Sequence, residues 1–169
     1  MTAAGPGRRA PGGQRHGTVV IGIGNEFRRD DGAGPAVIGR LRAAAPKARL
    51  VVSDGDPAGL IEEWSAASLA IVIDAVRADP ARPPDPGRTL LLEAGQAIGD
   101  ARTVSSHGLG LRAALDLAEA LGRLPGRLIV HGIEVAECGY GAGLSPAVAA
   151  GVERVSSAVL AEIGSGGLR

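Results

Sequence analysis

The apolar segment Thr18–Ile23 is the strongest constraint on how this chain can fold. It is rich in β-branched residues and carries no charge, which is typical of a strand covered on both faces, as in a parallel sheet. Gly22 and Gly24 permit a tight turn at its end. Asp30 and Asp31 follow, just before a helical pattern. The segment therefore predicts a buried strand that leads through a glycine turn to two adjacent carboxylates.

Similar strand patterns recur along the chain and mostly alternate with helical ones. Further strands are predicted at Arg49–Ser53, 69–73, Thr89–Glu93 and 128–135, and helices at 35–45, 60–67, about 109–121 and from 146 to the glycine-rich stop at 164–167. Four prolines within 77–87 predict an exposed loop, followed by a strand at the sheet edge. This alternation predicts an α/β fold, a three-layer sandwich in which a mainly parallel sheet lies between helices.

Charge and composition exclude several classes of partner. The chain has 18 basic and 18 acidic residues, and aromatic residues make up 2% of it. A neutral chain with few stacking side chains gives no reason to expect nucleic acid or a membrane surface as partner. The lone Cys138 excludes an internal disulfide and favours a small, buried apolar role. We expect a cytoplasmic monomer.

The first 17 residues differ from the rest of the chain. They contain arginines, prolines and glycines but no acidic residue and no apolar stretch of the kind that a signal peptide requires. We predict a disordered basic tail at 1–17 and a single domain at 18–169.

Four polar residues are predicted to meet at one edge of the sheet. Asp31 follows the first strand, Asp54 the second and Asp74 the third, and His107 directly precedes a helix. The carboxyl ends of parallel strands open on the same edge, where ligands bind in such folds. Two carboxylates and an imidazole suit a divalent first-row metal ion, and a helix N-terminus favours the neutral, metal-binding imidazole.

Structural roles compete with these functional ones. Asp30 and Asp31 could cap the following helix, and Asp54 lies in an Asp-Gly-Asp-Pro sequence that favours an Asx turn over a ligand role. Asp74 follows an apolar strand and is harder to explain as a surface charge, so a functional role is favoured there. His131, inside a predicted strand, is expected to be a satisfied core or interface residue.

Several motifs in register resemble those of the hydrogenase maturation proteases. They are Gly22-Ile23-Gly24-Asn25, Asp30-Asp31-Gly32-Ala33-Gly34, Asp54-Gly55, Ile73-Asp74-Ala75, Ser106-His107-Gly108-Leu109-Gly110-Leu111, Val130-His131-Gly132-Ile133-Glu134 and Gly143-Leu144-Ser145-Pro146. The resemblance covers the chain from Thr18 to the last helix. It implies a twisted five-stranded sheet between helices, and an endopeptidase that removes the C-terminal peptide from the large-subunit precursor of a nickel-iron hydrogenase.

The resemblance also implies which residues form the site. Asp31, Asp74 and His107 occupy the positions of the family's metal-binding acids and histidine. We further predict Asn25 and Asp54 as supporting residues. Some family members have Glu where this chain has Asp31, which changes the reach of the carboxylate by one methylene. The nickel is expected on the precursor, which it marks for cleavage, and not tightly held by the free enzyme. Asp31 or Asp74 could serve as general base beside the ion, or the two acids could share a proton in an aspartic-type reaction.

Two other functions are compatible with parts of the sequence. A dinucleotide-binding oxidoreductase would use a glycine turn after the first strand and an acid after the second, but Phe27 stands where the third glycine should be. A nickel chaperone could bind the same precursor without cutting it.

Overall fold

The sheet of the computed structural model has the predicted, mainly parallel arrangement. The structure describes residues 17–44, 47–93 and 108–166. Within them, the strands are β1 (Thr18–Ile23), β2 (Arg49–Ser53), β3 (Leu69–Arg77), β4 (Thr89–Glu93) and β5 (Arg127–Val135). They lie in the order β2-β1-β3-β5-β4, with β4 antiparallel to β5 and the other neighbours parallel. The predicted edge position of β4 is confirmed.

Helices cover both faces of this sheet, so the predicted three-layer α/β architecture is confirmed. The described helices are α1 (Ala33–Ala43), α2 (Pro57–Trp64), α3 (Gly108–Ala120) and α4 (Pro146–Gly166). On one face α1 and α4 pack over the strands, with the valines of α4 at helical spacing in the core, and on the other face α2 and α3 do so, with Trp64 fully buried. None of the described helices combines the length and apolarity needed to cross a bilayer.

Strand β3 is longer than its sequence predicts, and this changes the place of Asp74. The predicted strand stops at Ile73, but β3 continues to Arg77 because β5 pairs with it residue by residue as far as Val135. Asp74 therefore lies inside β3, opposite Gly132, and not at the strand's end. Backbone pairing with a neighbouring strand extends β3 past a residue whose polarity suggested an end.

Helix boundaries also shift where local capping decides them. α2 begins at Pro57, earlier than predicted, because the Asp56 carboxylate accepts a hydrogen bond from the N–H of Gly59 at 2.9 Å. Proline is well suited to the first turn that such a cap creates. α1 begins at Ala33, two residues before Pro35, without a side-chain cap. The predicted stop at 164–167 is only partly correct, since α4 runs through Gly164 to Gly166. Of the predicted tail, residues 1–16 lie outside the described residues.

Candidate active site

The glycine turn after β1 folds the chain back so that Asp31 lies against it. The Asn25 N–H donates to the Asp31 Oδ2 at 3.1 Å and to the Asp31 carbonyl oxygen at 3.2 Å. Gly24 has a φ of +141°, and a Cβ placed on it would lie 2.0 Å from the Asp31 carbonyl oxygen. Only glycine fits there, because its φ is positive and no side chain has room. The turn therefore fixes the backbone of Asp31 at the exit of β1.

Asp30, the neighbour of Asp31, holds a different part of the molecule. It is fully buried, and its carboxylate accepts hydrogen bonds from the Ser145 N–H at 2.7 Å, the Ser145 hydroxyl at 3.1 Å and the Glu137 N–H at 3.3 Å. The suggestion that either acid caps the following helix was wrong, because the N-cap residue of α1 is Gly32 and no side chain caps this helix. Asp30 instead joins the first turn to the start of α4.

Asp31 and Asp74 are both buried near the carboxyl ends of the central strands, at 2% and 1% exposure. A Cβ placed on Gly34, three residues after Asp31, would lie 3.0 Å from the carbonyl oxygen of Ile73, the residue before Asp74. Residues 29–32 form a 3-10 turn that packs against β3. The glycine contacts thus draw the segments that carry the two acids to the same part of the sheet.

The side of the sheet that Asp74 faces follows from strand alternation. Ala70 and Val72 pack in the core shared with α2 and α3, and a residue two positions further along a strand points to the same face. α3 begins at Gly108 on this face, and a Cβ on Gly110 would lie 2.6 Å from the Gly55 carbonyl oxygen. The first turn of α3 therefore lies against the loop that leaves β2.

His107 itself lies outside the described residues, so the predicted grouping of two acids with this imidazole stays a prediction. Among the side chains that the structure describes, no three histidine, cysteine or carboxylate groups are close enough together to hold a metal ion. What the structure does give is the position of Gly108, the next residue, at the beginning of α3.

The two residues predicted to support the site form local turns. The Asp54 Oδ1 accepts a hydrogen bond from the Asp56 N–H at 3.1 Å, which is the Asx turn that its sequence favoured. The Asn25 Oδ1 accepts one from the Phe27 N–H at 2.9 Å. Both side chains thus shape the loops that leave β1 and β2.

Cys138 lies close to the acids, which its sequence did not reveal. Burial raises the pKa of its thiol, and the negative charge of Asp31 acts in the same direction. Arg77 opposes this effect, Asp30 adds to the rise in pKa and Arg28 lowers it. The sequence signal that could have found Cys138 is its position just beyond the end of β5, at the edge where the other polar residues were sought.

Two further buried polar residues on β5 have structural partners. The His131 Nε2 lies 3.1 Å from the Glu162 carboxylate of α4, so the expected satisfied core histidine is confirmed. Glu134, which is 1% exposed, accepts a hydrogen bond from the Asp85 N–H at 2.6 Å. Its main chain also pairs with Gly87 and Arg88. Glu134 therefore anchors the largely exposed proline-rich loop.

A backbone strain marks the segment between the turn and the acids. Arg29 has a φ of +48°, the one positive value of a non-glycine residue in the described ranges. Its N–H donates to the Gly141 carbonyl oxygen at 2.9 Å, and its guanidinium pairs with Glu137 at 3.5 Å. Such conformations cost about 1 kcal/mol or more and persist where surrounding contacts impose them. Here the loop that follows β5 supplies those contacts.

Comparisons with known proteins agree with this architecture. The sequence model of a family described as hydrogenase maturation protease matches residues 37–162, a range that includes Asp74 and His107 and begins after Asp31. The hydrogenase expression/formation protein HoxM of Cupriavidus necator is 33% identical over 141 residues, 80% of this chain and 68% of that protein.

Solved structures show the same fold. The hydrogenase maturating endopeptidase HybD from E. coli matches with a TM-score of 0.77 and 22% identity over 90% of this chain and 94% of that one. The [NiFe] hydrogenase maturation protease HybD from Thermococcus kodakarensis matches with a TM-score of 0.70 and 23% identity over 85% and 97%. The family match covers most of the described sheet and helices, and we therefore conclude that the chain belongs to the hydrogenase maturation proteases.

Proposed function

We propose that this protein is the endopeptidase that removes the C-terminal peptide from the nickel-loaded large-subunit precursor of a nickel-iron hydrogenase. The observation that carries the proposal is the burial of Asp31 and Asp74 on adjoining segments at the carboxyl edge of the sheet. Family membership supports a peptidase, and the name of the HoxM relative links that protein to hydrogenase formation.

In this proposal the nickel ion arrives on the substrate. Asp31, Asp74 and His107 complete its coordination when the precursor docks, because carboxylate and imidazole ligands suit a divalent first-row ion. Three protein ligands leave positions open for the precursor's own ligands. The enzyme would then cut only a precursor that carries its metal.

The reacting groups follow from the same geometry. The ion polarises the carbonyl of the scissile peptide or the attacking water, and Asp31 or Asp74 accepts the proton of that water. The alternative is an aspartic-type reaction, in which the two acids share one proton and one of them activates the water without the metal. The burial of Asp31 and Asp74 is compatible with both mechanisms, since each depends on carboxylates shielded from bulk solvent.

The decisive experiment is incubation of the purified chain with nickel-loaded and nickel-free precursor. Mass spectrometry of the large subunit would show the loss of a C-terminal peptide from the nickel-loaded form, while the nickel-free form stays at full length. Binding of the nickel-loaded precursor without any loss of mass would contradict the proposal and favour the chaperone.

The same reaction separates the two chemical mechanisms. Removal of the nickel from an already docked precursor by a chelator should stop cleavage if the ion takes part in the reaction. Continued cleavage would favour the aspartic-type mechanism.

The oxidoreductase alternative has little support from the turn. The Asn25 N–H, which a dinucleotide phosphate would need as a donor, is already bonded to the Asp31 carboxylate, and that negative charge repels a pyrophosphate. A thermal-shift measurement with NADH and NADPH should show no stabilisation, and a shift of several degrees would revive this alternative.

A further inference from the structure

Two arginines beside the acids have guanidinium groups without a partner among the residues that the structure describes. Arg28 and Arg77 are exposed, and neither guanidinium forms a hydrogen bond or ion pair in the described part of the chain. Their neighbours differ, because Arg29 pairs with Glu137 at 3.5 Å and Arg82 with Glu134 at 3.7 Å. An unpaired arginine next to a candidate active site is available to a ligand.

Both arginines border the start of the loop after β5: Arg28 pairs with Gly141 of that loop in an isolated bridge, and Arg77 lies opposite Val135 at the end of β3. Each lowers the pKa of Cys138, against the effects of burial, Asp31 and Asp30. The charges that influence Cys138 thus belong to two separate segments, the turn after β1 and the end of β3, and Cys138 itself lies in a third, the loop after β5. These segments converge only in the folded chain.

A hollow of about 420 Å³ opens at this place. It lies beyond the carboxyl ends of β3 and β5 and is lined by Arg77, Ala78, Pro84, Val135, Ala136 and Cys138. The lining is apolar except for the guanidinium of Arg77 and the thiol of Cys138. A peptide segment with one negative group fits such a hollow, since the apolar walls accept its aliphatic part and the arginine its charge.

The two arginines are not explained by a role in neutralising the carboxylates of Asp30 and Asp31. The Asp30 carboxylate is bonded to Ser145 and to the Glu137 N–H, and the Asp31 carboxylate accepts from the Asn25 N–H. The described donors to the Asp30 carboxylate are therefore backbone and hydroxyl groups, and a backbone N–H donates to the Asp31 carboxylate. Arg28 and Arg77 are left facing solvent, where each guanidinium retains its full set of donors.

We propose that Arg77, which lines this hollow, and Arg28, which borders the loop that carries Cys138, bind a carboxylate of the substrate chain next to the scissile peptide. The inference rests on the proposed function and adds a determinant of substrate choice to it. The carboxylate belongs either to an acidic side chain of the peptide that is removed or to the C-terminus of that peptide. Both arginines act on binding, not on the chemical step.

The test measures kcat and KM for cleavage of the nickel-loaded precursor by three variants. Arg28→Ala and Arg77→Ala should each raise KM by about tenfold and change kcat by less than about twofold, because a charge-assisted hydrogen bond made equally in ground and transition states is lost. Arg42→Ala is the matched control. Arg42 is also exposed and lies in the last turn of α1, and its replacement changes the net charge by the same amount. Its KM should stay unchanged.

Precursor variants identify the source of the carboxylate. One series replaces each Asp or Glu of the removed peptide by Asn or Gln, and another adds two glycines to the precursor's C-terminus so that the terminal carboxylate moves. The precursor that lacks the recognised group should be cut equally well by the unaltered enzyme and by Arg77→Ala. If the recognised group is an acidic side chain, an Arg77→Glu enzyme should regain a low KM on a precursor in which Lys replaces that acidic residue.

The outcomes separate this inference from the proposed function. An intact precursor after incubation with the unaltered chain contradicts the proposed function itself. Cleavage with the same KM in the Arg28, Arg77 and Arg42 variants contradicts the arginine inference alone. A rise in KM that is equal for every precursor, whichever carboxylates it carries, contradicts the recognition of a carboxylate.

Discussion

The Asp30 carboxylate accepts a hydrogen bond from the Ser145 N–H at 2.7 Å, although 115 positions separate the two residues in sequence. The same carboxylate bonds the Ser145 hydroxyl and the Glu137 N–H. One buried acid therefore holds the loop between β5 and α4 against the turn after β1. This loop carries Cys138 and borders the candidate active site.

We expect Asp30→Ala to destabilise the fold. Loss of these bonds leaves the partly buried Ser145 donors and the Glu137 N–H without their acceptor, so the free energy of unfolding should fall by about 2 kcal/mol. Urea denaturation followed by circular dichroism measures this change. Ser145→Ala is the control, because it removes only the hydroxyl bond and should cost about 1 kcal/mol. Equal losses in the two variants would show that the hydrogen bonds from the Ser145 and Glu137 N–H groups to the Asp30 carboxylate contribute little.

Two glycines of α1 should respond oppositely to alanine. A Cβ on Gly34 would lie 2.3 Å from the Ile23 carbonyl oxygen, whereas one on Gly39 meets nothing within 4 Å. Gly34→Ala should cost roughly 2 kcal/mol or more, because α1 must move away from β1. Gly39→Ala should stabilise the protein by about 0.5–1 kcal/mol through its higher helix propensity. Thermal unfolding measures both, and a Gly34→Ala protein of unchanged stability would contradict the close packing.

Removal of the predicted site groups should stop cleavage and leave the fold intact. Asp31→Asn, Asp74→Asn and His107→Ala should each lower the rate of precursor cleavage by at least about 100-fold, as expected for loss of a general base or a metal ligand. Asp116→Asn is a matched control for the two acids, because Asp116 is exposed on α3 and pairs with Arg112 of the same helix. Full activity in the Asp31, Asp74 and His107 variants would contradict the site, and unchanged circular dichroism would show that the fold is retained.

The reactivity of Cys138 should report the charges around it. Because burial and Asp31 raise the pKa of the thiol, less thiolate forms near pH 8 and iodoacetamide should react more slowly than with an unfolded chain. Asp31→Asn should lower the thiol pKa and speed alkylation, whereas Arg77→Ala should raise it and slow alkylation. Mass spectrometry over a pH series measures the rates. If neither substitution moved the profile, the three residues would not be neighbours.

The strands and helices followed from local patterns in the sequence. Apolar β-branched runs placed all five described strands, with Thr18–Ile23, Arg49–Ser53 and Thr89–Glu93 correct at both ends. These patterns are local because burial of a strand face or a helix stripe repeats every two or about 3.6 residues. The glycine turn and the acids after β1 also belonged to one short segment, so they were found together.

Contacts between distant segments were decided only by the tertiary structure. β3 continues past Asp74 because β5 pairs with it, and Asp30 bonds Ser145 across the molecule. The meeting of Arg28, Arg77 and Cys138 likewise depends on three strand exits that reach the same edge. The sequence by itself determined which segments are buried, because hydrophobicity and spacing are properties of neighbouring residues. Which polar groups become partners depended on how those segments pack, since distances between their side chains exist only in the folded chain.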